Sequence, residues 1–258
     1  MKRAGPLVMH YHGLGEVPRR LDPFELMLPA ATFHSHVELL KKRGYRFVAQ
    51  QELVRMLGAG DPAERTCSIT FDDGTADNAT VLPSLLEALD VPATIFACPG
   101  LLGKPYPFTE PEAKVRLMDR EELIETAAHP LIEIGSHTRE HTVLEHASAE
   151  EALSEMSASR AGLESLLGRP VLSFAYPNCV YSAACPQAAK RAGYTSAVTC
   201  GRRGGLDPYE LRRQSPSPKD GRLRFELKSR GVFHDLWERS PIRLARAVTR
   251  PLRDRRRR

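Results

Sequence analysis

The sequence predicts an α/β fold in which seven parallel strands close into a (β/α) barrel. Two observations point there. Seven short apolar runs alternate with helical patterns, which argues for βαβ units. The polar residues of several runs gather at their C-terminal ends, where barrels collect their chemistry. The first run ends in His12, the third in Asp72 and Asp73, the fifth leads into His137, and the sixth ends at Tyr176. An open doubly wound sheet fits the alternation as well; the convergence of strand ends favours the barrel.

Taken in order, "PLVMHYH" reads as the first strand, followed by a helix with Phe33, Val37 and Leu40 at helical spacing. "YRFVA" (Tyr45 to Ala49) reads as the second strand, and "QELVRMLG" as a helix closed by Gly58. "CSITF" is the third strand. "NATVLPSLLEALD" is helical, with Pro83 near its first turns. "ATIFAC" is a strand stopped by Pro99 and Gly100, "DREELIETAA" a helix stopped by Pro130, and "LIEIG" the fifth strand. Ser148 and Glu151 have the spacing of a capping box for a long helix running to Gly168. "VLSFAY", the helix "CPQAAKRAG" and "TSAVT" complete the alternation. No repeat, low-complexity segment or linker interrupts it before about Ser215, so residues 1–215 are expected to form the barrel and 216–258 an extension ending in a basic helical tail.

The chain has 258 residues, 41% of them hydrophobic, enough for one domain with a substantial core. Its formal charge of +5 is concentrated in "RPLRDRRRR" at the end. The rest is close to neutral, so a nucleic-acid-binding surface is not expected. No spanning helix or secretory h-region is visible, and the expected location is cytoplasmic. The five cysteines include no CxxC and suggest reduced, mostly buried thiols, with a Cys179–Cys185 bridge as the disfavoured alternative.

"GSHTREH" sets His137 and His141 four residues apart, so that a helical turn would bring both imidazoles to one side of a cation. Two histidines are one ligand short of a catalytic zinc set. The adjacent carboxylates of "TFDDG" can supply the third ligand and leave a second carboxylate as a base. A bare pair would repel, and a cation removes that cost.

"TFDDG", "GSHTREH" and "FAYP" (Phe174 to Pro177) together resemble the polysaccharide deacetylase family, the NodB-homology or carbohydrate esterase family 4 domain. The resemblance runs from "LVMHYH" to about Arg213. It implies a distorted barrel, often seven-stranded, that removes acetyl groups from sugars with one divalent metal. By position, Asp73, His137 and His141 would ligate the metal, Asp72 would be the general base for the metal-bound water, and the Tyr176 backbone N–H would help hold the oxyanion. Zinc is the default metal; cobalt, manganese, nickel and iron suit the same ligands. The implied partner is an N-acetylated sugar or glycan.

The sequence departs from the family pattern twice. The late histidine that often serves as general acid has only His234 as a counterpart. The branch whose first strand carries "YH" supplies the acid from that end, so His12 is expected, with His10 as reserve. The arginine that orients the base is replaced by Ala175, and a glycine by Cys179; Arg213, with Arg212 beside it, is the expected substitute, unless "DPYELRRQ" is a solvated basic loop. The C-terminal segment suits either peripheral contact with an anionic membrane face or a helix packed on the barrel. The expected activity is metal-dependent removal of an N-acyl group from an amino sugar or glycan precursor. A deacylase of a small biosynthetic intermediate, its pocket closed by Gly100 to Lys114 or by "CGRRGGLDPYE", and a silent glycan-binding relative are the alternatives.

Overall fold

The computed structural model describes residues 5–200 and 205–230. In chain order they form β1 (Leu7–Tyr11), β2 (Gly13–Leu14), β3 (Met27–Leu28), α1 (Ala30–Lys42), β4 (Arg46–Phe47), α2 (Gln50–Gly58), β5 (Thr66–Asp73), α3 (Asp77–Thr80) and α4 (Leu82–Leu89). There follow β6 (Ala93–Ala97), α5 (Arg120–Ala128), β7 (Ile132–Ser136), α6 (Ala149–Leu167), β8 (Ser173–Ala175), α7 (Cys185–Arg191), β9 (Ser196–Cys200), β10 (Leu211–Gln214) and α8 (Arg222–Ser229).

The local signals act where the sequence places them. Phe33, Val37 and Leu40 are the buried stripe of α1. Pro83 sits in the first turn of α4, where its missing N–H costs nothing, and the chain breaks just before it at Val81. Ser148 and Glu151 cap α6 reciprocally, and Gly168 closes that helix at φ 64°. Asp119 and Glu122 form a second capping box on α5.

All pairings of the main sheet are parallel, in the order β1-β10-β9-β8-β7-β6-β5-β4. β1 also pairs with β5 along its whole length, which closes β1 and β5 to β10 into a seven-stranded barrel. The number of strands agrees with the sequence reading; the membership does not. The strand expected at Tyr45 to Ala49 shrinks to β4, which pairs only with the start of β5. Its place in the ring is taken by β10, the arginine-bearing "LRRQ". Two arginines make that segment read as a loop, yet Arg213 is fully buried.

Period-two alternation decides which side chains face inward. On β5, Thr70 and Asp72 face the barrel interior, where Arg213 reaches both. Phe71 faces out and packs with Tyr11 and Phe33, ring centroids 5.5 Å from each. Inside, Phe96, Ala175, Val198 and Leu211 form an apolar layer, with Val54 and Leu57 of α2 packed against it. Arg213 lies above this layer, 5.8 Å from the Phe96 ring centroid.

Contacts divide the chain into two compact units, Met1–Lys219 and Asp220–Arg258. The first holds the barrel. The described part of the second is α8, where Lys228 donates to Asp220 Oδ2 at 2.5 Å. The rest of the basic tail, including His234 and the Arg-rich end, lies outside the described residues. Among the described residues, no helix is long and apolar enough to cross a membrane.

The cysteine expectation needs correcting. Cys67, Cys98 and Cys185 are buried free thiols, but Cys179 is disulfide-bonded to Cys200. The partner at Cys185 is excluded because α7 carries it into its own packing, beside Ser182. Strand order instead makes Cys200, on the neighbouring strand end, adjacent to the turn that holds Cys179.

Gly135 faces Phe96, and an added Cβ would come within 2.5 Å of its ring. Gly135→Ala should therefore destabilise the protein by about 1–3 kcal/mol through overpacking. In α6, Gly162→Ala would meet only Pro99 at 3.4 Å, and should stabilise by up to about 1 kcal/mol. Paired thermal or urea melts would check the opposite signs.

Candidate active site

The site lies at the C-terminal mouth of the barrel. Adjacent strand residues normally face opposite sides of a sheet. Asp73 escapes this because its backbone is left-handed, at φ 72°, followed by Gly74 at φ 73°. Both carboxylates consequently face the mouth: His137 Nε2 is 3.8 Å from Asp72 Oδ2 and 3.5 Å from Asp73 Oδ1.

His137 follows β7 and donates from Nδ1 to the Ala175 carbonyl at 2.8 Å. That bond fixes the tautomer and leaves the Nε2 lone pair pointing at Asp73. His141 Nε2 is 3.4 Å from Asp73 Oδ1. The two imidazoles meet with centroids 4.9 Å apart. The segment between them is not the helical turn expected. Thr138 and His141 are both left-handed, at φ 60° and 58°, and these two kinks bring the rings together. Non-glycine residues in this region carry strain, which persists where surrounding contacts impose it.

These three residues fit a divalent metal. Asp73, His137 and His141 each offer a donor atom, all within 4.8 Å of one another. Asp73 Oδ1 is buried and accepts no hydrogen bond, an orphan aimed at both imidazoles. Its other oxygen, Oδ2, accepts from the Tyr106 hydroxyl at 2.6 Å. Burial lowers both imidazoles, His137 to about 3, so they are neutral with lone pairs available near pH 7. Burial pushes Asp73 up to about 6, helped by the neighbouring Asp72 charge.

Asp72 has a different environment. Arg213 donates to Oδ1 at 2.6 Å and to Oδ2 at 2.7 Å, a bidentate pair with the guanidinium fully buried. His10 Nε2 approaches Oδ2 at 2.9 Å, and its Nδ1 is 2.8 Å from Ser215 Oγ. Burial alone would raise Asp72, but Arg213, His10 and His137 outweigh it and hold the carboxyl well below its usual range. Arg213 reaches Asp72 from β10, not from the turn after β8 that holds Ala175.

His12, just past β1, lies tilted against His10 with centroids 4.6 Å apart, and Asn78 donates to its carbonyl at 3.1 Å. Burial and the adjacent His10 lower His12 to about 4. Tyr176 requires a correction. Its backbone N–H donates to the Val198 carbonyl at 3.2 Å, so the sheet ladder takes the donor expected for an oxyanion. Its hydroxyl donates to the Tyr209 carbonyl. His146 is exposed, beside Glu145, and His129 lies beside Glu87.

Two groups at the site carry no sequence signal. Tyr106 and Phe108 come from the Gly100 to Lys114 segment; Phe108 packs edge-on to His141, centroids 4.8 Å apart. The segment was legible as a cover, but no periodicity marks which of its aromatics reaches a ligand.

Two carboxylates and two imidazoles meet at the mouth of the barrel, and three of them could hold a metal ion. The polysaccharide deacetylase family model matches residues 59–197. The chain belongs to the polysaccharide deacetylase family. It is 30% identical over 175 residues to the protein named "Putative polysaccharide deacetylase YxkH" of Bacillus subtilis (strain 168); the match spans 67% of this chain and 59% of that protein. Its fold is that of the Streptococcus pyogenes deacetylase PplD in complex with acetate (TM-score 0.70, 23% identity, 84% of this chain and 95% of that one). IcaB from Ammonifex degensii is similarly alike (TM-score 0.73, 20% identity, 90% and 97%).

Two outcomes test the site. Asp73→Ala or His137→Ala should abolish stoichiometric metal binding, and wild-type affinity should weaken below pH 6, where Asp73 takes up a proton that the metal must displace, approaching about tenfold per pH unit. Metal retained by either variant sinks the ligand assignment; titrations at pH 5 and 7 read the second effect. Arg213→Ala should cost about 3–5 kcal/mol, because it strands a buried charge. Arg213 depresses the folded-state pKa of Asp72, so this stabilisation is present at neutral pH and is lost as pH falls through that value. Denaturant melts at several pH values would show the mutational cost shrinking toward acid.

Proposed function

We propose that the protein is a metal-dependent deacetylase that hydrolyses the acetamide of an N-acetylated amino sugar or glycan precursor. The observation that carries this reading is the orphaned Asp73 Oδ1 facing His137 and His141, with a second, ionised carboxylate beside it. Membership of the family supports the same reaction class.

Asp73, His137 and His141 would hold the metal, zinc by default. The metal would polarise the acetyl carbonyl and make water nucleophilic near neutral pH. Tyr106 holds Asp73 Oδ2 and so turns Oδ1 toward the ligands. Asp72 is the base in this proposal, and Arg213 is a positioning residue that fixes its plane through two hydrogen bonds. The same bonds, with His10, make Asp72 a weak base that keeps a proton only briefly. His12 starts neutral, since it is held near pKa 4. It therefore has to receive the proton that it delivers. Donor atoms of His12 and Asp72 lie within 4.8 Å, close enough for transfer through one water. The proton of the attacking water thus passes from Asp72 to His12 and on to the departing amine. The amine requires it because an amide anion is a very poor leaving group.

A small, non-polymeric acylated substrate is the second reading. Tyr106 and Phe108 against Asp73 and His141 favour it, because they wall the centre on one side. The deciding experiment measures acetate release from short N-acetylglucosamine oligomers and from nucleotide- and lipid-linked N-acetyl sugars, after chelation and after adding back zinc or cobalt. Metal-dependent release from one class assigns the substrate. Bound metal with no release from any of them rejects the deacetylase and leaves a binding role.

Asp72→Asn should retain metal and lose turnover. His12→Ala should lower kcat on the order of 10²–10⁴-fold, the range of a general acid–base group. Near-normal rates in either variant remove that residue from the proton path.

A further inference from the structure

The proposed reaction leaves the Cys179–Cys200 disulfide without a role. Cys179 lies in the turn after β8, and Cys200 ends β9, so the bridge ties two neighbouring strand ends together at the mouth. Both cysteines are half-buried, while Cys67, Cys98 and Cys185 are fully buried. Cys179 Sγ lies 3.8 Å from Arg213 Nη2, the nitrogen that donates to Asp72 Oδ2. Cys200 is the register partner of Arg213 on the adjoining strand. A His10 ring nitrogen and both sulfurs lie within 4.8 Å of one another. Asn178 and Cys179 are consecutive left-handed residues, at φ 53° and 58°, so the turn presenting Cys179 is itself strained.

We propose that Cys179–Cys200 is a thiol–disulfide exchange site, open to a dithiol reductant, whose state controls the Arg213–Asp72 pair. Its effect on turnover rests on the deacetylase reading above; its chemistry does not. A thiolate of the reductant attacks Cys200 Sγ. The sulfur–sulfur bond breaks, and its electron pair leaves on Cys179 Sγ. The reductant's second thiol then displaces Cys200 from the mixed disulfide. The dithiol is oxidised to a disulfide, and the bridge takes two electrons to become a Cys200 thiol and a Cys179 thiolate, with one proton left in solvent.

The direction of attack follows from Arg213. A guanidinium beside a sulfur stabilises its thiolate, and the more stable thiolate leaves faster. The consequence for the base follows from the same contact. In the bridged form the sulfur is neutral, and Arg213 serves Asp72 with both terminal nitrogens. In the reduced form a second anion stands beside Nη2 and draws the guanidinium away from Asp72 Oδ2. Reduction therefore loosens the clamp on the base without touching the metal ligands.

The test begins with the full chain prepared without reductant, alkylated and peptide-mapped, then titrated with dithiothreitol. Before reduction Cys179 and Cys200 should be linked; after it both should alkylate on the folded protein, as judged by an unchanged circular dichroism spectrum. On the best acetylated substrate, kcat should fall severalfold at constant KM and recover on reoxidation, and Cys200→Ser should be fixed in the low state and indifferent to dithiothreitol. A second readout needs no substrate. In Cys200→Ser, iodoacetamide should modify Cys179 faster than an ordinary thiol, by about threefold for each unit its pKa is lowered, since tenfold more thiolate is offset by weaker nucleophilicity. Adding Arg213→Gln should remove that excess. Alkylation of both cysteines before reduction, a kcat indifferent to reduction, or a Cys179 rate indifferent to Arg213→Gln would each overturn the proposal. No turnover in either redox state counts against the deacetylase reading, and the alkylation rates still decide whether Arg213 governs Cys179.

Discussion

Two carboxylates side by side in a buried mouth form the constraint on which the rest of the site depends. Leaving both charged and uncompensated in a low-dielectric interior would cost several kcal/mol. The protein resolves this asymmetrically. Asp72 receives a fully buried guanidinium in bidentate contact, with His10 on its other side. Asp73 receives only the Tyr106 hydroxyl on one oxygen, and its other oxygen faces two neutral imidazoles. The same residue type is thus driven in opposite directions: Asp72 well below its usual range, Asp73 up to about 6. Different environments separate the two carboxylates, one a standing anion and the other inclined to hold a proton.

The backbone at the mouth serves the same constraint. Asp73, Thr138, His141, Asn178 and Cys179 all take left-handed conformations that non-glycine residues avoid. They sit at or just past the ends of β5, β7 and β8. Below them the barrel is a regular parallel ladder around an apolar layer that begins at Phe96 and Leu211. The strain at the rim is supported by the packed barrel below it, which is how a site can keep conformations that an isolated loop would abandon. Arg213 links the two levels, lying over Phe96 while holding Asp72.

The first strand contributes more than its length suggests. It carries His10, which lies against Asp72, and leads directly into His12, whose ring centroid is 4.6 Å from that of His10. Its outward Tyr11 anchors the layer between barrel and α1 through Phe33 and Phe71. Pairing β1 with both β5 and β10 is also what closes the ring. Barrel closure therefore brings His10, Asp72 and Arg213 together, though they come from widely separated parts of the chain.

What the sequence alone determined is what local chemistry encodes. Alternating apolar runs set the α/β class, capping and proline signals set the helix ends, and the spacing within "TFDDG" and "GSHTREH" marked Asp72, Asp73, His137 and His141 as a cluster. Only the tertiary structure decided which strands close the barrel, because closure is a pairing between β1 and β5 that no local pattern contains. It placed Arg213 on Asp72 from a segment that reads as a basic loop, since burial of a charged side chain depends on the partner it meets across the barrel. It removed the Tyr176 N–H from the oxyanion role because the sheet register hands that donor to Val198. It also paired Cys179 with Cys200, because strand order, not sequence separation, sets which side chains are neighbours.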